Sequence, residues 1–593
     1  MKSTMIRRVL AFMVSMAMVF GLTPSYAFAE PQADETQSRQ GAAEVDSAQE
    51  SGALPAEVPQ GTSTALTVNV PTRATNIVEV SSWSEVQSAA RNATSGQTIK
   101  LMQDCVNSGS DKGRIQVKTS VTIDLNGHKL DRDLSKRYDN GHVIEVFDGA
   151  TLTIEDETGQ NKEITGGYSK DGGGIYINGG AKVILKGGTI TGNMAAKEGG
   201  GVYVAKDGTL EIEGGAIDGN AALSCGGGIV VYGKLTTTGG AIRSNIAGDA
   251  ESNLISPIYA EGGGIYVCAD GTMTLNNTVI EENIASKNGG GIYIHSKQNG
   301  SITECTIARN KTTYYSGGGI YMDADKTTKL TVENSSIENN ESADDGGGIY
   351  LYWGTIDMKA TDGKACSLSR NRAADEGGGA KVTRNTTFIA NGVSISNNKA
   401  EAKEGGGIKN FGRTELTNCS ITYNHAILQG GGIYSDNDGE VDASLSLSEC
   451  IVSQNSTSSD GGGIYSDAKI HSDDYLYYAL KISGGTITGN FAGTGKGNGL
   501  CIGSDSDNPR IQDKVIIKDN SKTVSKQEVY LSTDKKLELC ASLKAGSEIG
   551  VTLQENAGIF TYHYQQYMSQ TVSGRMISSS LQKASTSSPM ATR

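Results

Sequence analysis

The sequence predicts an all-β chain wound as a parallel β-solenoid of about 12 repeat coils of ~28 residues, with a cap at each end. Three observations carry this reading. A Gly-Gly-Gly-Ile-Tyr block recurs with its first glycine at Gly172, Gly199, Gly226, Gly262, Gly289, Gly317, Gly346, Gly377, Gly405, Gly430 and Gly461, and a degenerate Gly497-Asn498-Gly499 follows. An apolar-x-x-Asn motif precedes eleven of these blocks, ending at Asn193, Asn220, Asn245, Asn283, Asn310, Asn340, Asn371, Asn398, Asn424, Asn455 and Asn490. Between the two lies a further short apolar run, such as Thr209-Leu210-Glu211-Ile212. Each unit therefore holds three short strands, and stacked units would repeat at about 4.8 Å.

The alternation within the strands assigns their faces. In Ile175-Tyr176-Ile177, Val202-Tyr203-Val204 and Ile292-Tyr293-Ile294 the aliphatics share one side and Tyr takes the other. The aliphatics are expected to fill the interior, and the asparagine amides to bond to one another along the axis. Glycine suits the corners, where φ is positive or backbones crowd. Of 593 residues 78 are Gly and only 8 Pro. Gly does not recur every third residue, which excludes collagen, and the regular Ile, Val, Leu and Tyr exclude a disordered tract. A leucine-rich-repeat horseshoe is disfavoured because the units lack a helical period.

Taken in order, residues 1–29 read as a secretory signal. Lys2, Arg7 and Arg8 precede the apolar run Val9–Leu22, and Ala27-Phe28-Ala29 supplies the small residues of a cleavage site. Residues 30–75 are polar, with Pro31, Pro55, Pro59 and Pro71, and read as a flexible linker. Residues 76–133 form an N-terminal cap with the first strands. Ser82-Trp83-Ser84-Glu85 is a capping-box pattern, and Trp83, Val86 and Ala89-Ala90 give an amphipathic helix that can cover the open end of the core. The repeats occupy 134–522, with irregular loops at 246–261 and at 468–481, the latter carrying Tyr475, Tyr477 and Tyr478. Residues 523–576 read as terminal coils and a cap, and 577–593 as a frayed tail.

No segment beyond the signal is long and apolar enough for a membrane span. No Leu-Pro-x-Thr-Gly sorting signal and no run of barrel strands is present, so the mature chain is expected to be secreted or held at the cell surface without a covalent anchor. The formal net charge is −14, and loss of the signal removes three cations and no acid. Nucleic acid and anionic membranes are therefore poor partners.

The repeat is similar to that of right-handed parallel β-helix proteins of the pectate-lyase-like superfamily. It most resembles the chlamydial polymorphic outer-membrane protein repeats, which pair a Gly-Gly-Ala-Ile-type block with Phe-x-x-Asn. Ile190-Thr191-Gly192-Asn193 followed by Gly199-Gly200-Gly201-Val202 keeps that order, with Ile for Phe. The resemblance covers about residues 164–520 and implies a right-handed helix and an extended surface module used in adhesion. Asp124-Leu125-Asn126-Gly127-His128 and Ile549-Gly550-Val551-Thr552 look like the flanks of secreted bacterial β-helix surface proteins.

Two sets of residues carry the functional expectations. Tyr176, Tyr203, Tyr266, Tyr293, Tyr321, Tyr350, Tyr434 and Tyr465 would form an outer ladder, either a platform for a glycan or extracellular protein or a set of rings that pack on one another. Acids precede seven blocks, and Asp345, Glu376 and Glu404 fall in consecutive coils, where they invite Ca²⁺ or simply form a solvated edge. In the same region Lys381 and Lys409 replace the ladder tyrosine, with Arg370 and Arg372 upstream. Carboxylates that hold Ca²⁺ and a basic residue that removes a proton are what a β-helix polyuronate lyase needs, which makes a Ca²⁺-dependent polysaccharide lyase or a glycoside hydrolase the alternative to an adhesin-like module that needs no cofactor. The Gly-His-Gly and Arg-Ile-Lys signatures of polygalacturonases are absent, and the six histidines are scattered. The nine cysteines form no Cys-x-x-Cys pair. Cys305, Cys366, Cys419 and Cys450 share one repeat position and are expected to fill a ladder as thiols, although Cys419 and Cys450 lie in adjacent coils.

Overall fold

A computed structural model describes residues 76–108, 113–248, 260–439, 441–471, 478–520, 527–554 and 560–562. The expected signal, linker and tail, most of the 246–261 insertion, and Tyr475 and Tyr477 of the 468–481 loop lie outside the described residues.

The repeats form a parallel β-solenoid of three sheets. Among the described residues one sheet has 16 strands, from Ile115–Val117 to Val551–Leu553, and carries the tyrosines. A second has 12 very short strands, from Tyr168–Asp171 to Phe491–Ala492. The third has 31 strands, because most coils contribute two segments to it, as Thr209–Ile212 and Ala216–Asp218 do. Neighbouring coils pair in parallel and in register, Ile175 with Val202 and Val202 with Ile229. The stack runs beyond the 12 repeat coils expected, because the capping segments add coils of their own at both ends.

Most repeat coils thus have four short strands where three are expected, while Ser444–Ser453 and Leu480–Thr488 each run two of them together. The fourth, such as Ala221–Ala222, follows the asparagine and turns one small residue inward. The small residue fits a narrow corner, and the triple glycine explains why. Gly199 has φ +69°, a Cβ on Gly200 would overlap the Ala221 carbonyl, and one on Gly201 would press on the Asn220 amide. The first glycine supplies a left-handed turn, while the second and third let two backbones and the amide ladder come together.

That ladder is the polar spine of the fold. From Asn193 to Asn520 each asparagine donates its Nδ2 to the next asparagine's Oδ1 at 2.8–3.1 Å. The backbone N–H of each donates to the same oxygen, as in Asn310 to Asn340 at 3.0 Å. These residues are fully buried, and twelve take part, one more than the motif count, with Asn520 as the last. A buried amide with its donors and acceptor filled costs little, whereas an unmatched one costs heavily, so the ladder enforces register.

The apolar interior is continuous from Trp83 to Val551. Helix α1, Trp83–Arg91, buries Trp83, Val86 and Ala90 in the same core at its amino-terminal end. Ser82 Oγ accepts from the Glu85 N–H at 3.3 Å, and Glu85 accepts from the Ser81 N–H at 2.6 Å, which satisfies the helix start. The nine cysteines are all free thiols. Cys366, Cys419 and Cys450 donate to carbonyls of the preceding coil, the role Ser335 plays in its own coil.

Candidate functional site

The 16-stranded sheet places the ladder tyrosines one above another, because in-register parallel strands bring identical side chains to the stacking distance. Ring centroids are 4.8 Å apart for Tyr176–Tyr203, 5.0 Å for Tyr266–Tyr293, 5.2 Å for Tyr293–Tyr321, 4.9 Å for Tyr321–Tyr350 and 5.2 Å for Tyr434–Tyr465. The planes lie within 12° of parallel. Inner rings therefore cover each other's faces, and Tyr293, Tyr321 and Tyr434 are buried. The rings pack on one another, as one of the two sequence readings of the ladder expects. The stacked rings leave no row of open faces along the ladder.

Two aromatic residues that sequence reasoning missed repair breaks in the ladder. Where Val230 replaces the tyrosine, Tyr232 leans against Tyr203 at 5.4 Å and donates to Glu198 at 2.8 Å. Where Lys409 replaces it, Phe411 stands 4.6 Å from the lysine Nζ. Both lie two residues past the ladder position. A period of two continued one step beyond the strand would have found them. The same position holds Tyr352, which is 43% exposed, lies 6.4 Å from both Tyr321 and Tyr350, and meets Trp353 edge-on.

Carboxylates border the ladder. Tyr293 donates to Asp323 at 3.3 Å, Tyr434 to Asp436 at 2.8 Å and Tyr465 to Asp467 at 3.3 Å. Burial, with Asp345 and Asp344 adding to it, pushes the Tyr350 phenol up to about 12 although Lys381 opposes the shift.

Lys381 and Lys409 do stand together, but as a closed charge cluster. Lys381 Nζ lies 2.6 Å from Asp345 and 2.8 Å from Glu376, and Lys409 Nζ lies 3.0 Å from Glu404 and 3.7 Å from Glu376. Lys409 is 2% exposed and sits 3.6 Å from the centroid of the Tyr434 ring. Burial pulls its ammonium below the ordinary lysine value, while Glu376 and Glu404 hold it up in part. Burial also acts against the Lys381 ammonium, but Asp345 and Glu376 more than offset this and raise it.

This geometry bears on the lyase residues. A general base needs an accessible lone pair, and the buried Lys409 and half-buried Lys381 are both paired with carboxylates. Arg370 follows the strand Ser367–Ser369 of the 31-stranded sheet and pairs with Glu338, so it belongs to a different sheet from Lys381. Asp345, Glu376 and Glu404, the calcium candidates, turn oxygens to the lysine ammonium groups. Asp344, Asp345 and Asp375 also converge. There Asp344 accepts from Ser316 at 3.2 Å, and Lys403 lies 2.7 Å from Asp375.

Residues 114–283 and 258–362 match the family described as right handed beta helix region, and residues 449–467 match the Chlamydia polymorphic membrane protein repeat. The second match spans the Val452-Ser453-Gln454-Asn455 motif and the block at Gly461. The solenoid is thus a right-handed parallel β-helix. No curated protein and no solved structure matches the chain. Among the described residues no helix is long and apolar enough to cross a membrane.

Proposed function

We propose that this right-handed β-helix chain is a secreted or surface-displayed, adhesin-like module that binds glycans or extracellular proteins along its tyrosine-bearing sheet. The observation that carries the reading is the exposed Tyr352, with the half-buried Trp353 edge-on beside it, set against the uninterrupted stack from Tyr266 to Tyr350. The stack is a backing, and Tyr352 offers the open aromatic surface that the ladder lacks, while the Lys326 ammonium stands 5.1 Å from the centroid of the Trp353 ring. The bordering carboxylates and the net charge of −14 disfavour a polyuronate ligand, which would meet like charge at Asp323, Asp436 and Asp467. The polymorphic membrane protein repeat supports display at a cell surface.

The test presents the full chain to a glycan array and to immobilised mucin and matrix proteins. Tyr352→Ser and Trp353→Ala should each weaken binding at least tenfold, and Tyr423→Ser, at an exposed site, should leave it unchanged. Binding indifferent to both aromatic substitutions would remove this surface from the account. Release of unsaturated sugar from a polyuronate in the presence of Ca²⁺ would replace binding by catalysis.

A further inference from the structure

The cluster around Lys381 is more ordered than a surface ion pair requires. Lys381 pairs in register with Tyr350 of the preceding coil, so its side chain takes a place that an aromatic ring fills elsewhere. Its Nζ lies 2.6 Å from Asp345 Oδ2 and 2.8 Å from Glu376 Oε2, with side-chain exposures of 14%, 10% and 12% for the three residues. The Tyr350 and Phe411 rings each stand 5.9 Å from that nitrogen. The other Asp345 oxygen, Oδ1, accepts from the backbone N–H of Glu376 at 3.1 Å. An amine, a carboxyl carbon, a second carboxylate and an N–H donor thus meet in a site largely closed to water.

We propose that Lys381 and Asp345 condense into an intramolecular amide, with Glu376 relaying the proton. A proton first passes from the Lys381 ammonium to Asp345 Oδ2 along their hydrogen bond. The neutral amine then attacks the Asp345 carboxyl carbon, and the negative charge that develops on Oδ1 falls against the Glu376 N–H. The Glu376 carboxylate takes one proton from the attached nitrogen and returns it to Oδ2. The C–Oδ2 bond breaks and the oxygen leaves as water. One C–N bond forms, one C–O bond breaks, one water is lost, and nothing is oxidised or reduced.

The surroundings act on both ends of the first step. Against the effect of burial, Asp345 and Glu376 hold the Lys381 ammonium above its ordinary value, which opposes the transfer, while burial and the crowding of carboxylates favour a proton on Asp345. Two lysines face three carboxylates, and the Asp345 carboxyl also lies close to those of Asp344 and Asp375. Burial pushes the Asp345 carboxyl up to about 6, against the pull of Lys381, so it holds a proton more readily than an ordinary aspartate. A buried neutral pair is also cheaper to hold than a buried ion pair. Lys409 lacks this arrangement. Its nearest carboxylate belongs to Glu404 of its own coil, and a bond there would join no second coil.

Intact-mass measurement and peptide mapping of the purified full chain test the proposal. The folded chain should be lighter by one water than its sequence requires, and digestion should yield a branched peptide joining Lys381 to Asp345. Lys381→Arg, which keeps the charge, and Glu376→Gln, which keeps the shape, should both show the unmodified mass with circular dichroism unchanged. Recovery of Lys381 and Asp345 in separate linear peptides from folded wild-type chain would overturn the proposal. So would a branch placed at Lys409, or a Glu376→Gln variant that forms the bond as fully as wild type. The wild-type result stands on its own if either variant fails to fold.

Discussion

Glu528 ends the asparagine ladder: one of its carboxylate oxygens accepts both the backbone N–H and the Nδ2 of Asn520, each at 2.8 Å. Every earlier asparagine finds an identical amide in the next coil, and at the last coil a carboxylate from eight residues downstream takes that place. Glu528→Ala leaves the buried Asn520 N–H unmatched at a cost of about 1–3 kcal/mol, while the Asn520 Nδ2 keeps the Ile487 and Lys518 carbonyls. The expected result is faster amide exchange confined to the coils after Asn490, with the central coils unchanged. Glu528→Gln should restore most of the protection, because it keeps an acceptor.

Mid-ladder substitutions should act on both sides of the site. Asn310 accepts from Asn283 and donates to Asn340 and to the Ile280 carbonyl. Asn310→Ala is expected to cost roughly 2–4 kcal/mol, because donors of Asn283 and the freed carbonyl lose their partners together. Exchange at the strands Ile292–Ile294 and Ile320–Asp323 should quicken. A variant that exchanges like wild type at both strands would contradict the ladder's role in register.

The glycine corner gives a steric test. Gly200→Ala meets the backbone carbonyls of Ala221 and Gly227, which cannot move aside as a side chain can. A loss of about 1–3 kcal/mol is expected. Ala222→Gly, which only removes bulk from the neighbouring strand, should cost less. Thermal unfolding followed by circular dichroism ranks the two.

Acid should loosen the amino-terminal coils first. Burial works against ionisation of Glu145, yet His142, Arg114 and Asn178 more than offset it and hold the carboxyl at about 2. Burial pushes His142 below the usual histidine value, although Glu145 opposes the shift. Both groups bind a proton more readily in the unfolded chain, so stability is present at neutral pH and declines as pH falls. The decline starts below about 6.5 through His142 and continues below about 4.5 through Glu145, which accounts for about 3 kcal/mol by the time it is protonated. His142→Phe should keep the ring against Tyr176, 5.5 Å away, and abolish the upper step. Melting temperatures taken from pH 7 to pH 3 check this, and a flat profile between pH 7 and pH 5 in wild type would contradict the assignment to His142.

The fold was legible because its signals recur. Asn310 alone says little, but Asn at one repeat position in eleven units marks a buried ladder, and period two in Ile-Tyr-Ile marks the inward face. What escaped the sequence lacked such repetition. The fourth strand has two residues, too few for alternation. Asn520 and Glu528 fall where the triple glycine has ended. Tyr232 and Phe411 repair single breaks, so each occurs once. At the candidate site, Lys381, Lys409 and the three acids were legible as a local irregularity. Their mutual pairing was not, because it depends on Asp345 reaching diagonally from one coil to the next. Arg370 lies eleven residues before Lys381, but a corner carries it to another sheet.

The ladder's amide-to-amide hydrogen bonds all point the same way. Each coil donates forward, so a finished coil presents two unmet donors on the edge facing residues not yet made, and the next coil brings the oxygen that meets them. Partners lie only 25 to 38 residues apart along the ladder. A polypeptide emerging amino end first can therefore dock each coil on a template already built, with helix α1 closing the edge that nothing later could cover. The order in which the chain is made is the order in which its spine can zip, and Glu528 supplies the last tooth.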